Sequence, residues 1–105
     1  MNESEVPTVS VDGLPSPLPE DFVVLDVRED HEWVAGHIPQ AIHVPLGELM
    51  ERRGELDPLI QTLVVCHVGG RSARATAYLV ANGHHAINLD GGMVAWENSG
   101  RPTEI

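Results

Sequence analysis

The chain has 105 residues, of which 42% are hydrophobic and 4% aromatic, and its net charge at pH 7 is −10. This length suits one domain spanning residues 1–105, and the negative charge argues against nucleic acid and anionic membranes as partners. The single cysteine excludes an intrachain disulfide and the CxxC motifs of zinc sites and dithiol enzymes. Residues 1–10 contain no signal region, and no apolar run approaches membrane-spanning length. We therefore expect a cytoplasmic protein.

Apolar runs and turn residues predict alternating strands and helices in the first half of the chain. The predicted strands cover residues 6–11, 22–27 and 41–44, and the predicted helices cover residues 29–35 and 46–53. The run 22–27 is continuous and rich in valine, which is typical of a strand buried on both faces. The helix over 46–53 is expected to bury Leu46, Leu49 and Met50 on one face.

The second half continues this alternation. Strands are predicted over residues 62–66 and 86–89, and helices over residues 72–82 and 93–98, the last anchored by Trp96. The helix over 72–82 is expected to end before Gly83 and to face the core with a set of small apolar side chains: Ala73, Ala77, Val80 and Ala81. The alternation predicts an α/β fold with a parallel sheet of about five strands and helices on both faces.

The only cysteine stands where an apolar run meets a glycine-bearing turn. A helix-compatible segment follows at once, so Cys66 lies beyond the carboxyl end of a strand, where such sheets bind ligands. Backbone N–H groups, a helix N-terminus and a guanidinium all favour a thiolate over a thiol. The alternative is a buried structural cysteine that acts as a small hydrophobe. The context favours a nucleophile in an anion-binding loop whose other members are His67, Val68, Gly69, Gly70, Arg71 and Ser72.

Three further polar residues near this loop have two interpretations each. Asp26 and Arg28, at the carboxyl end of the strand over 22–27, support the loop by hydrogen bonding or form an ion pair with each other or with neighbours, and we favour a structural role. His67 follows the cysteine directly. We expect it to line the pocket and not to transfer a proton in catalysis.

The remaining histidines do not form a metal motif. We expect His37 to satisfy backbone groups in its Gly-His-Ile-Pro turn, and His84 and His85 to lie in an exposed loop. No H-x3-H spacing or cysteine partner is present. We therefore expect no metal site and no cofactor.

Three segments together resemble one known family. Asp26-Val27-Arg28-Glu29 with the stretch 32–39, Cys66-His67-Val68-Gly69-Gly70-Arg71-Ser72, and the stretch 89–96 resemble, in order, the three signatures of a single-domain rhodanese. One departure is Gln40, where the family often has glycine. The resemblance implies a three-layer rhodanese-like sandwich and a sulfurtransferase.

The implied reaction proceeds in two steps. Cys66 takes sulfur from a donor such as thiosulfate, becomes a persulfide, and yields the sulfur to a thiol, to cyanide or to a sulfur-relay protein. A second interpretation is a noncatalytic rhodanese-like module that senses or delivers sulfur. A third is an arsenate reductase or phosphatase of the same fold. The third is disfavoured because residues 66–71 make a six-residue loop, whereas those enzymes resemble a seven-residue version.

Overall fold

The computed structural model describes residues 6–105. Residues 1–5, part of the stretch expected to lack a signal region, lie outside the described residues. The strands are β1 Thr8–Val9, β2 Val23–Asp26, β3 Ile42–His43, β4 Thr62–Val65 and β5 Ala86–Leu89. The helices are α1 Asp30–Val34, α2 Leu49–Arg52, α3 Gly70–Ala81 and α4 Gly92–Asn98. Within residues 6–105, no helix is long and apolar enough to cross a membrane.

The five strands form one parallel sheet in the order β1-β5-β4-β2-β3. The predicted α/β fold with a five-stranded parallel sheet is therefore confirmed. Strand β4 is central, and its register places Val65 beside Asp26 of β2 and Val64 beside Asn88 of β5. The residue after β4, Cys66, thus lies at the carboxyl end of the central strand, flanked by β2 and β5.

Alternate strand residues feed two apolar clusters on opposite faces of the sheet. Leu25, Val64 and Cys66 face the cluster that contains residues of α2 and α3. Val24 and Leu63 face the cluster that contains Met93 and Trp96 of α4. Successive side chains of a strand point to opposite faces, so the valine- and leucine-rich strands supply both clusters. The sheet is therefore the middle layer of a three-layer sandwich, with α2 and α3 on one face and α4 on the other.

Helix α3 buries a different face from the predicted one. Its buried residues are Ser72, Ala75, Thr76 and Leu79, whereas the predicted set of Ala73, Ala77, Val80 and Ala81 is partly or fully exposed. The buried hydroxyls are satisfied, because Thr76 Oγ1 donates to the Ser72 carbonyl at 2.7 Å and Ser72 Oγ has partners of its own. Hydrogen-bonded hydroxyl groups are buried at small cost, so hydropathy alone selected the wrong face.

The helix predicted over 46–53 is also shorter than expected. Only α2 is α-helical, and a 3₁₀ turn precedes it over Leu46–Glu48 while another follows it over Arg53–Glu55. Met50 is 77% exposed, so the expectation that it is buried was wrong. Arg52 pairs with Glu48 and Glu55 along the outer surface of this segment.

Candidate active site

The loop over residues 66–71 wraps its backbone around the sulfur of Cys66. This residue is 1% exposed. The Gly69 N–H donates to Cys66 Sγ at 3.1 Å, and Ser72 Oγ lies 3.2 Å from the same sulfur. Gly69 adopts φ +110°, and a Cβ there would lie 3.3 Å from the Gly91 nitrogen. The positive φ therefore favours glycine at this position, and the nearby Gly91 nitrogen leaves little room for a Cβ.

The environment of Cys66 favours its anionic form. Burial alone raises the pKa of the thiol, but the Ser72 hydroxyl and the backbone N–H groups of Ser72, Gly69 and Val68 outweigh burial and hold the pKa below its usual value. Hydrogen bonds to the charged form lower a pKa in this way. A buried sulfur with several inward-pointing donors has the environment of an activated nucleophile more than that of an inert core cysteine.

Ser72 connects the sulfur to Asn88, a residue that the sequence analysis did not single out. Ser72 Oγ lies 2.5 Å from Asn88 Oδ1, and both residues are buried. Asn88 lies in β5, and its neighbours Ala86, Ile87 and Leu89 are apolar. An amide in an otherwise apolar strand is the sequence signal that identifies it, because buried polar groups need a specific partner.

Glu32 of α1 is the second site residue that the sequence analysis missed. Its carboxylate accepts two hydrogen bonds from Arg71, at 2.7 and 2.8 Å, and one from the Glu29 N–H at 3.0 Å. The hydrogen bonds from Arg71 lower the pKa of Glu32 to about 2. Glu32 in turn raises the pKa of the Arg71 guanidinium. The negative charge of Cys66 raises the same pKa by a smaller amount, because Arg71 lies near the sulfur. The charge that the loop offers to an anion is thus partly balanced.

The start of α4 supports the loop from behind. The Met93 N–H donates to the Cys66 carbonyl at 2.8 Å, and the Val94 N–H donates to the His67 carbonyl at 3.1 Å. Gly92 has φ +55°, and a Cβ on it would lie 2.6 Å from the His67 carbonyl oxygen. The Asp90-Gly91-Gly92 turn therefore lets one helix end approach the loop backbone closely.

Asp26 and Arg28 form a buried ion pair with each other. Arg28 Nη2 donates to Asp26 Oδ2 at 2.8 Å and to the Gly36 carbonyl at 2.8 Å. Within residues 6–105, none of their side-chain hydrogen bonds reaches the loop. This geometry agrees with the structural interpretation, and direct support of the loop stays a prediction.

The four histidines considered in the sequence analysis differ in their exposure and contacts. His67 is exposed at the mouth of the loop. His37 Nδ1 lies 3.0 Å from the Trp33 carbonyl oxygen, in agreement with its expected local role. His85 is exposed, but His84 is only 8% exposed, so the prediction that both lie on the surface was wrong for His84. In the part of the chain that the structure describes, no three His, Cys, Asp or Glu side chains are placed to hold a metal ion.

Trp33 stacks between two imidazole rings and ties α1 to its surroundings. Its ring centroid lies 3.6 Å from that of His37 and 4.7 Å from that of His43. His43 Nε2 lies 2.7 Å from the Arg28 carbonyl oxygen. The stack links α1 with the turn that follows it and with β3, so it helps to fix the helix that carries Glu32.

Comparisons with known proteins are consistent with this geometry. Residues 12–99 match the family described as the rhodanese-like domain. The chain is 39% identical to the Bacillus subtilis protein YtwF over 79% of this chain and 81% of that one. It is 37% identical to the thiosulfate sulfurtransferase GlpE of Pseudomonas entomophila over 76% of this chain and 74% of that one. The crystal structure of a rhodanese-related protein from Thermoplasma volcanium matches with a TM-score of 0.87 and 31% identity, over 93% of this chain and 97% of that one.

Proposed function

Because the chain belongs to the rhodanese-like domain family, and its relatives support a role in sulfur transfer, we propose that it is a thiosulfate sulfurtransferase-like enzyme with Cys66 as the nucleophile. The observation that carries this proposal is the buried sulfur of Cys66 with the Gly69 N–H at 3.1 Å and Ser72 Oγ at 3.2 Å. A thiolate held in this way attacks a sulfur atom readily.

In the first step, the Cys66 thiolate attacks the outer sulfur of the donor. A new sulfur–sulfur bond forms, and the sulfur–sulfur bond of thiosulfate breaks. Sulfite leaves with the electron pair, and Cys66 becomes a persulfide whose charge lies on the outer sulfur. The loop N–H groups, already pointed inward, stabilise this anion without reorganising.

In the second step, a thiophilic acceptor attacks the outer sulfur, and Cys66 leaves as a thiolate. The same donors that lower the pKa of Cys66 make it a good leaving group, so one set of hydrogen bonds serves both steps. The acceptor is a thiol, cyanide or a sulfur-relay protein. A catalytic thiol must stay reduced between turnovers, and this supports a cytoplasmic location.

The two other interpretations make different predictions. A noncatalytic rhodanese-like module would not form a persulfide from a small donor. A phosphatase of this fold would hydrolyse an aryl phosphate, and an arsenate reductase would reduce arsenate. The six-residue loop of residues 66–71 and the absence of a carboxylate within it favour sulfur chemistry over phosphate chemistry.

Intact-mass spectrometry after incubation with thiosulfate tests the proposal. We expect the wild-type protein to gain the mass of one sulfur atom and to lose it when cyanide is added, with release of thiocyanate. The Cys66→Ser variant should keep its fold by circular dichroism and lose both reactions, because a serine hydroxyl lacks the nucleophilicity of a thiolate. A wild-type protein that gains no mass, or a serine variant that forms thiocyanate at the wild-type rate, contradicts the proposal.

A further inference from the structure

The Ser72 hydroxyl has two neighbours that compete for its single proton. Its oxygen lies 3.2 Å from Cys66 Sγ and 2.5 Å from Asn88 Oδ1. Ser72 is 0% exposed and the other two residues are at most 5% exposed, so the hydroxyl lies away from bulk solvent. A hydroxyl donates one hydrogen bond and accepts two. When the Ser72 hydroxyl donates its hydrogen bond to Asn88 Oδ1, it can only accept a hydrogen bond from Cys66. Such a bond requires a protonated sulfur.

A thiolate needs the opposite arrangement. When Cys66 is anionic, the Ser72 proton must turn toward the sulfur, and Asn88 Oδ1 then loses its donor. An asparagine amide resolves this conflict, because a half-turn about its last side-chain bond replaces the carbonyl oxygen by an NH₂ group. Nδ2 then donates to Ser72 Oγ, and Ser72 donates to sulfur. A carboxylate at this position could only accept a hydrogen bond, and an alkyl group could neither donate nor accept one. Only an amide can therefore pair with Ser72 in both arrangements.

We propose that Asn88 is a positioning residue that directs the Ser72 proton toward itself when the Cys66 sulfur is neutral and toward the sulfur when it is anionic. The inference rests on the proposed function. In that cycle, Sγ is a thiolate before the attack and again when the acceptor removes the outer sulfur, so both steps need the Ser72 proton on the sulfur side. The opposite arrangement belongs to the protonated thiol of the resting protein, because the persulfide Sγ carries no proton to donate to Ser72.

Other charged groups surround the sulfur but do not enter this chain of hydrogen bonds. Arg71 is paired with Glu32, and Arg28 is paired with Asp26 at the end of the neighbouring strand. His67 and Asp90 are exposed. Within the described part of the chain, none of these side chains hydrogen bonds to the Ser72 hydroxyl or the Asn88 amide. We therefore expect the effect of Asn88 on the sulfur to pass through Ser72.

A double-mutant cycle on the thiol pKa tests this route. The pKa of Cys66 is measured by the ultraviolet absorbance of its thiolate in the wild-type protein, in Asn88→Asp, in Ser72→Ala and in the double variant. Asn88→Asp should raise the pKa by at least about one unit, because the carboxylate keeps the Ser72 proton and the thiolate loses a donor. In the Ser72→Ala background, the same substitution should shift the pKa by less than half as much. Equal shifts in both backgrounds would mean that the new charge acts directly through space, and would overturn the proposal.

A measurement on unaltered Asn88 covers the case in which Asn88→Asp does not fold. In the wild-type protein, the NMR signals of the Asn88 side-chain amide should titrate with the pKa of Cys66. In Ser72→Ala, the size of that change should fall by more than half. An undiminished change in Ser72→Ala would overturn the proposal. Both measurements use no sulfur donor, so their outcome is separate from the mass-spectrometric test of sulfur transfer.

Discussion

Arg71 brings a permanent positive charge to the mouth of the loop, and Glu32 neutralises much of it. The carboxylate is held on one side by the guanidinium and on the other by the Glu29 N–H, so it does not swing away easily. Under the proposed function, a dianionic donor such as thiosulfate would meet an ion pair whose charge is partly balanced. The loop N–H groups, together with the guanidinium, would then supply the attraction at short range.

The Glu32→Gln variant should shift donor preference toward higher charge. We compare thiosulfate with methanethiosulfonate, a monoanion of similar shape. A unit charge within roughly 10 Å changes binding by several tenths of a kcal/mol, so the ratio of kcat/KM for thiosulfate to kcat/KM for methanethiosulfonate should rise about two- to fivefold. Asp30→Asn is the matched control, because it removes an exposed carboxylate from the same helix without touching Arg71. An unchanged ratio in Glu32→Gln, or an equal rise in Asp30→Asn, contradicts this expectation.

Gln40 is the departure from the family pattern noted in the sequence, and its backbone explains why the family often uses glycine. Its φ is +67°, in the left-handed region that disfavours a side chain. Gln40→Gly should raise the free energy of unfolding by up to about 1 kcal/mol, because the strain of a non-glycine residue in this region is somewhat larger than the entropy that glycine adds to the unfolded chain. Urea denaturation measures the change. Gln40→Ala should bring no such gain, and a destabilised glycine variant would show that the strain is absent.

At the scale of elements, the site depends on the contact between the start of α4 and the carbonyls of the loop. Gly92→Ala should lower the free energy of unfolding by about 2 kcal/mol or more and reduce sulfur transfer, because the added Cβ would displace the His67 carbonyl. Gly83→Ala is the control: its φ is also positive, at +85°, but no atom lies within 4 Å of the added Cβ. It should cost about 1 kcal/mol and leave activity unchanged. If Gly92→Ala and Gly83→Ala affected activity equally, the result would contradict the prediction that α4 supports the loop.

The elements that the sequence predicted well are those whose pattern reflects burial on both faces. Strands β2, β4 and β5 were predicted within two residues of their observed bounds, because short and mostly apolar runs between turn residues leave few alternatives. The loop after β4 was identified because its residue types indicate their roles locally: glycine allows the tight turn, arginine supplies positive charge, and cysteine supplies a sulfur.

The elements and partners that the sequence did not reveal depend on contacts between distant segments. The buried face of α3 contains Ser72 and Thr76, whose burial is intelligible only once their hydrogen-bond partners are known. Asn88 lies 16 positions from Ser72 and Glu32 lies 39 positions from Arg71 along the chain. Periodicity describes one element at a time, so it does not report pairs of this kind.

At the scale of the whole molecule, His84 links stability to pH. It is buried, and its Nδ1 has no hydrogen-bond partner within residues 6–105. Burial, with a smaller effect of Arg53, lowers the pKa of His84 in the folded protein. The unfolded chain therefore binds a proton more readily than the folded one. The stabilising effect of neutral His84 is complete above about pH 6.5 and is lost as the pH falls from there through the folded-state pKa.

Urea denaturation at pH 7.5 and pH 5.5 tests this linkage. The wild-type protein should lose more stability between these two conditions than a His84→Leu variant does, because leucine does not titrate. His85→Gln should keep the wild-type loss, since His85 is exposed. A His84→Leu variant with the same loss as the wild-type protein would place the pH dependence in another group.

Strand β1 occupies an edge of the sheet beside β5, although about eighty residues separate the two along the chain. The Pro7 carbonyl accepts the Asn88 N–H at 2.8 Å, and the Val9 carbonyl accepts the Asp90 N–H at 2.9 Å. During synthesis, β1 is made before β5 and must therefore wait for β5 before the two strands can pair. Such non-local pairing closes late in folding. Strand β5 also carries Asn88, the partner of Ser72. One strand made late in synthesis therefore supplies both the neighbour that β1 needs and the last member of the hydrogen-bond network around Cys66.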